Sequence, residues 1–215
     1  MKQVLTVIFL SLAYSVANGQ VRVAPDEALT RLKEGNARFI NGKSTRPRQD
    51  FTRIKEVSAG QAPFATIVGC SDSRVPNEII FDQGLGDLFI VRTAGQVSTY
   101  ASWGSIEFAE EVLGTKLIVV MGHTQCGAVN AAVTLPEVPG HIITLINAIK
   151  PAVETARKNK SENLLDASIR ENIKMQVDQL RGLEPVLAKR VRDGSIKIIG
   201  ALYHLNTGTV EFLEN

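Results

Sequence analysis

Cysteine is scarce in this chain, with two residues in 215, Cys70 and Cys126. At most one disulfide is possible, which excludes a small secreted scaffold stapled by several bridges. Runs of lysine or arginine are missing as well. The 24 basic residues nearly balance the 22 acidic ones, so nothing points to a nucleic-acid surface. No internal repeat or low-complexity segment is present, which sets aside solenoids and flexible arrays. No apolar run is long enough for a good membrane span. The longest, Val4 to Val16, is interrupted by Thr6, Ser11 and Ser15.

That apolar stretch follows Lys2 and ends at Ala17-Asn18-Gly19, with small residues at the −3 and −1 positions of a cleavage site. The pattern is that of a signal peptide over residues 1–19, leaving a mature domain of residues 20–215 that is periplasmic or secreted. No cysteine lies near the cut, so no lipid anchor is expected and the mature protein is free of the membrane. A buried N-terminal helix is the alternative reading. Cleavage removes Lys2 and leaves 23 basic against 22 acidic residues.

What is present describes one globular domain, with 44% hydrophobic and 21% charged residues. Pro25-Asp26-Glu27 opens a helix carrying Leu29, Leu32 and Phe39, and a short helix runs from Phe51 to Ala59. Four continuous apolar runs follow: Phe64 to Val68, Leu88 to Val91, Leu117 to Met121, and Ile196 to Ile199. Runs of this kind suit parallel strands covered on both faces. Helical stretches lie between them at Ser102 to Leu113, Ala128 to Thr134, His141 to Arg157, and Leu164 to Asp193 with a break near Gly182. The class is therefore α/β, with a mostly parallel central sheet flanked by helices. Asn206-Thr207-Gly208 turns the chain into an antiparallel edge strand, Thr209 to Phe212.

Both cysteines directly follow such runs. Cys70 comes after Val68-Gly69, and His123 and Cys126 come after Met121-Gly122. Ligands in open α/β sheets bind beyond the carboxyl ends of the strands, so neighbouring strands could bring all three residues to one point. Two thiolates and an imidazole suit zinc, and three protein ligands with a fourth position free form a catalytic arrangement. A Cys70–Cys126 disulfide is the competing reading, and it leaves His123, Asp72 and Arg74 without a shared purpose. Asp72 and Arg74 can form a charge-assisted pair that keeps the carboxylate ionised beside the metal. The same Asp-Ser-Arg also fits a capping turn before a helix starting near Pro76. The Gly127 amide, at a helix start, is a further candidate donor. His141 is read as a surface or helix-start residue, and His204 as satisfied locally.

Cys70-Ser71-Asp72-Ser73-Arg74-Val75-Pro76, Gly86-Asp87-Leu88-Phe89-Ile90-Val91-Arg92 and Gly122-His123-Thr124-Gln125-Cys126-Gly127 together resemble the β-class carbonic anhydrases, over a stretch from about Asp26 to the C-terminus. The resemblance implies one zinc per subunit on Cys70, His123 and Cys126, with Asp72 and Arg74 as the dyad beside it. It implies that Gln61 hydrogen-bonds bicarbonate and that Phe89 and Phe108 wall the substrate pocket. The implied reaction is reversible hydration of carbon dioxide to bicarbonate and a proton by zinc-activated water. Carbon disulfide and carbonyl sulfide hydrolases resemble the same class and share its ligands, so they stand as an alternative. A homodimer or homotetramer is implied, with an N-terminal helical arm (here Pro25 to Phe39) wrapped over the partner. Some members hold an inhibitory bicarbonate on a tryptophan three residues before the first cysteine, an arginine and a tyrosine. Arg92 and Tyr203 look similar to the last two, but Ile67 stands at the tryptophan position and cannot donate. That regulatory site is expected to be absent or weak.

Overall fold

The structure is a computed structural model and describes residues 22–213, so the expected signal peptide lies outside the described residues. Helix α1 (Pro25–Ile40) and a short α2 (Phe51–Val57) precede the sheet. The alternating part then runs β1 (Ala65–Cys70), α3 (Asn77–Ile80), β2 (Leu88–Thr93), a 3₁₀ turn (Ala94–Gln96), α4 (Tyr100–Glu111), β3 (Leu117–His123) and α5 (Gly127–Thr134). Helices α6 (Ile142–Lys158), α7 (Leu164–Arg181) and α8 (Leu187–Arg192) lead to β4 (Lys197–Tyr203) and β5 (Val210–Leu213). The sheet order is β2-β1-β3-β4-β5; the first four strands are parallel and β5 pairs antiparallel with β4.

The apolar runs are continuous because both faces of the sheet are covered. In β3, Leu117, Val119 and Met121 enter one core cluster, and Ile118 and Val120 enter the other. Side chains alternate across a strand, so a strand buried on both sides has no polar face to show. The cluster holding Ile118 and Val120 is roofed by α5, α6 and α7 through Val129, Ile149, Ile169 and Ile173. The opposite cluster is closed by α1, α3 and β5 through Leu32, Ile80 and Val210.

Helix α1, expected as an arm over a partner, packs one face on the sheet of its own chain. Ala28 and Leu32 are fully buried there. Gly35 makes the close approach possible, since a Cβ at that position would lie 1.8 Å from the Phe81 carbonyl oxygen. Beside it, the Asn36 amide donates to the carbonyls of Ile80 and Gly208 and accepts from the Val210 N–H, which ties α1 to α3 and β5. Helix α2 differs. It is capped by the Asp50 side chain, which accepts from Arg53 N, but it buries none of its residues and leaves Phe51 and Ile54 exposed.

Candidate metal centre

Cys70 is the last residue of β1 and His123 the last of β3, and these two strands are neighbours in the sheet. Three residues after His123, Cys126 caps the start of α5. The Cys70 and Cys126 sulfurs and a His123 ring nitrogen all lie within 4.8 Å of one another, and all three residues are buried. Both cysteines are free thiols, which counts against the disulfide reading.

The local chemistry prepares these atoms to be ligands. His123 Nδ1 lies 2.9 Å from the Thr124 carbonyl oxygen, which fixes the tautomer with Nδ1–H donating and leaves the Nε2 lone pair free. Nε2 is buried with no hydrogen-bond partner among the described residues. An orphaned acceptor facing two sulfurs is what a thiophilic, imidazole-binding ion such as zinc would satisfy, so the donor set fits that ion. Sharing a proton with Cys126 lowers the Cys70 pKa against the cost of burial, and the N–H groups of Gly95 and Asp72 add to this. Cys126 is pushed up by sharing that proton with Cys70 and by burial, while the α5 amides of Ala128 and Val129 oppose the shift.

Asp72 and Arg74 meet as expected. Arg74 Nη2 and Nε donate to the two carboxylate oxygens at 2.7 and 2.9 Å, and the Arg74 backbone N–H adds a third bond. The paired-dyad reading holds, whereas the capping reading does not: α3 begins after Pro76 with no side-chain cap, and Asp72 accepts from Arg74 instead. Arg74 keeps the Asp72 carboxyl well below the usual carboxylate range. Asp72 Oδ2 lies 3.7 Å from His123 Nε2, so the carboxylate faces the same space as the imidazole lone pair. Arg74 also lines an open cleft of about 640 Å³ with Thr124, Gln125 and His204.

Gln61 and Phe89 are not brought to this point within one chain. Gln61 is exposed and precedes the N-terminal end of β1, whereas Cys70 ends it. The strand alone separates the two by about 17 Å at ~3.3 Å per residue. Phe89 sits at the second position of β2, paired with Thr66 and not with Cys70. Phe108 is 46% exposed on α4. Gly127 opens α5, but the amides set against the Cys126 sulfur are those of Ala128 and Val129. An added Cβ at Gly127 would meet no atom within 4 Å, so packing in this chain does not demand the glycine. His204 lies 3.3 Å from Glu211, satisfied locally as expected, and His141 is exposed at the start of α6.

Arg92 has a different role from the one the resemblance implied. Its Nε donates to the Cys70 carbonyl at 2.9 Å and its Nη2 to the Asp72 carbonyl at 2.7 Å, so it fastens the loop that carries ligand and dyad. Tyr203 is buried two strands away from β1, in the cluster that also takes Ile67. An arginine placed four residues into an apolar run was the available signal.

The family profile described as "Carbonic anhydrase" matches residues 65–210, which covers both loops and the four parallel strands. The chain belongs to the β-carbonic anhydrases. "Carbonic anhydrase 2" of Mycobacterium tuberculosis is 42% identical over 190 residues, covering 86% of this chain and 90% of its own. Among solved structures, the β-carbonic anhydrase CcaA superposes with a TM-score of 0.69 at 25% identity, covering 87% of this chain and 99% of its own. One of two tetrameric β-carbonic anhydrases from Sordaria macrospora shares the fold with a TM-score of 0.69 at 22% identity, covering 85% of this chain and 94% of its own. Within this family, the buried thiolate and imidazole donors lie where a strand-end metal centre belongs.

Proposed function

We propose that the chain binds one zinc ion per subunit through Cys70, His123 and Cys126 and interconverts carbon dioxide and water with bicarbonate and a proton. The observation that carries this is the unpaired, buried His123 Nε2, held between two free thiols and facing Asp72. A zinc ion held there acidifies water and so supplies a nucleophile near neutral pH. The donor set brings two negative charges, against none for three imidazoles, so the surrounding protein must do more to favour the deprotonated nucleophile. Asp72 is placed for that. Kept ionised by Arg74, it is an acceptor only, so Oδ2 can take a hydrogen bond from a water or hydroxyl and turn a lone pair toward carbon dioxide. Arg74, half exposed on the cleft, links that carboxylate to solvent.

The working form is an oligomer, a homodimer or homotetramer. Support comes from α2, which exposes Phe51 and Ile54, and from β2, which ends the sheet unpaired on one side. Gln61 and Phe89 also face away from their own metal centre, where a second copy could use them. The expected signal peptide places the mature enzyme in the periplasm or outside the cell. No helix among the described residues is long and apolar enough to cross a membrane.

Purified mature protein, residues 20–215, tests this directly by zinc content and by stopped-flow carbon dioxide hydration. We expect about one zinc per chain and activity that disappears with the metal. A metal-free chain with a Cys70–Cys126 bond would overturn the reading. A zinc-loaded chain that hydrolyses carbonyl sulfide but leaves carbon dioxide untouched would move it to the sulfur substrates.

A further inference from the structure

Helix α7 lays Ile169, Ile173, Val177 and Leu180 into the apolar cluster over the sheet. On the same buried side it carries two amides, Asn172 and Gln176, at 0% and 2% exposure. Amides are rarely buried without partners to satisfy them, and residues four apart share one helix face. Both amides reach the same short segment. Asn172 Nδ2 donates to the Gly95 carbonyl at 2.9 Å, and Gln176 Oε1 accepts from the Ser98 N–H at 3.0 Å.

That segment touches the metal centre. The Gly95 N–H donates to Cys70 Sγ at 3.2 Å. The turn is held in an unusual conformation, with φ of +69° at Gly95 and +47° at Gln96, a left-handed region costly for a glutamine. Gly95 is enclosed as well, since a Cβ there would lie 2.8 Å from Ile149 Cδ1. A strained turn keeps one N–H aimed at a sulfur only while something holds it, and its carbonyl side is held from α7.

We infer that Asn172 and Gln176 are positioning residues for the metal centre: they clamp the 94–98 turn from α7 so that the Gly95 N–H stays on the Cys70 sulfur. The hydrogen bond draws electron density from the thiolate and orients its lone pairs, which sets how strongly Cys70 donates to the ion. This rests on the zinc reading above. Neither amide is hydrogen-bonded to Cys70, His123 or Asp72: Asn172 acts through Gly95, and Gln176 through Ser98 of the same turn.

Cobalt(II) in place of zinc gives a readout separate from activity, the near-ultraviolet thiolate-to-cobalt charge-transfer band. In Asn172→Leu the sulfur loses its oriented N–H, so the band moves to longer wavelength and cobalt binds about tenfold more weakly. Gln176→Leu shifts the band in the same direction by less. Asn36→Leu is the control, because Asn36 is also a buried amide bonded to backbone, through three hydrogen bonds, but lies with α1 against α3 and β5. It lowers the melting temperature and leaves the band where it was. If Asn172→Leu does not fold, Asn172→Ser leaves the Gly95 carbonyl without its donor and adds no bulk. A parent band that neither Asn172 variant moves, at unchanged cobalt affinity, overturns the inference alone. A parent with no thiolate-to-cobalt band overturns the metal reading, and this inference with it.

Discussion

Arg92 Nε donates to the backbone carbonyl of Cys70 at 2.9 Å while the same guanidinium reaches the carbonyl of Asp72. One side chain from the edge strand β2 thus fixes two residues of the neighbouring loop, a candidate metal ligand and the acid beside it. Arg92→Met removes both bonds and leaves most of the aliphatic stem. We expect metal affinity or hydration activity to fall about tenfold, with little change in melting temperature. Arg92→Lys should not restore the loss, because a single ammonium cannot span two carbonyls as a planar fork does. Zinc titration against a competing chelator, with kcat/KM for carbon dioxide, checks both variants.

Separating the dyad from the ligands gives the next expectation. Asp72→Asn is nearly isosteric and leaves Cys70, His123 and Cys126 in place, so zinc content should stay near that of the parent. Hydration should fall about a hundredfold or more, because an amide can turn a donor toward water where the carboxylate only accepts. Cys70→Ser should instead lose the metal itself. Zinc per chain measured beside initial rates distinguishes the two. Equal loss of metal in both variants would make Asp72 a structural support and not a participant.

The metal centre was legible in the sequence because each of its parts is local. Cys70 and His123 end apolar runs, Cys126 follows within three residues, and parallel pairing of β1 with β3 does the rest. The α/β class was legible for a similar reason, since strands buried on both faces write uninterrupted runs. Gln61, Phe89 and Phe108 were harder to place. Spacing along the chain says nothing about which copy's site a residue faces, and in one chain Gln61 and Phe89 lie by the strand ends opposite the triad. The clamp from α7 was hidden because asparagine and glutamine in a helix ordinarily read as surface. Their only signal was spacing, with Asn172 and Gln176 interleaved with Ile169, Ile173 and Val177 on the buried side. The turn they hold has no motif, since Gly95 suits a left-handed conformation but nothing local favours one at Gln96.

Inhibition by product offers another test. Ile67 is fully buried in the sheet core, on the strand that ends at Cys70, and it offers no donor. Arg92 is already engaged by two carbonyls, and Tyr203 lies two strands away from β1. Bicarbonate should therefore inhibit only as product at the metal centre, with a hyperbolic dose response. Initial rates over a bicarbonate series decide the matter, and a steep cooperative curve would require a second anion site.

Acid stability should report on a buried carboxylate outside the candidate metal centre. Asp82 is almost wholly buried, and burial alone would raise its pKa. The Arg38 guanidinium at 2.6 Å, the Thr45 and Arg46 N–H groups and the Thr45 hydroxyl outweigh that cost and lower it. Because the folded value lies below the unfolded one, the unfolded chain binds this proton first as pH falls. The stabilisation is complete above the ordinary carboxylate value of 3.8 and is lost as pH drops through the lower folded value. Asp82→Asn should cost about 2 kcal/mol at neutral pH, since Arg38 is left partly buried without its counter-charge. It should also flatten the acid limb of the stability curve. Glu211, lowered by its bond from Arg170, supplies part of the slope that remains. Urea unfolding between about pH 6 and about pH 3 measures both effects. A variant whose acid limb stays parallel to that of the parent would place the titrating group elsewhere.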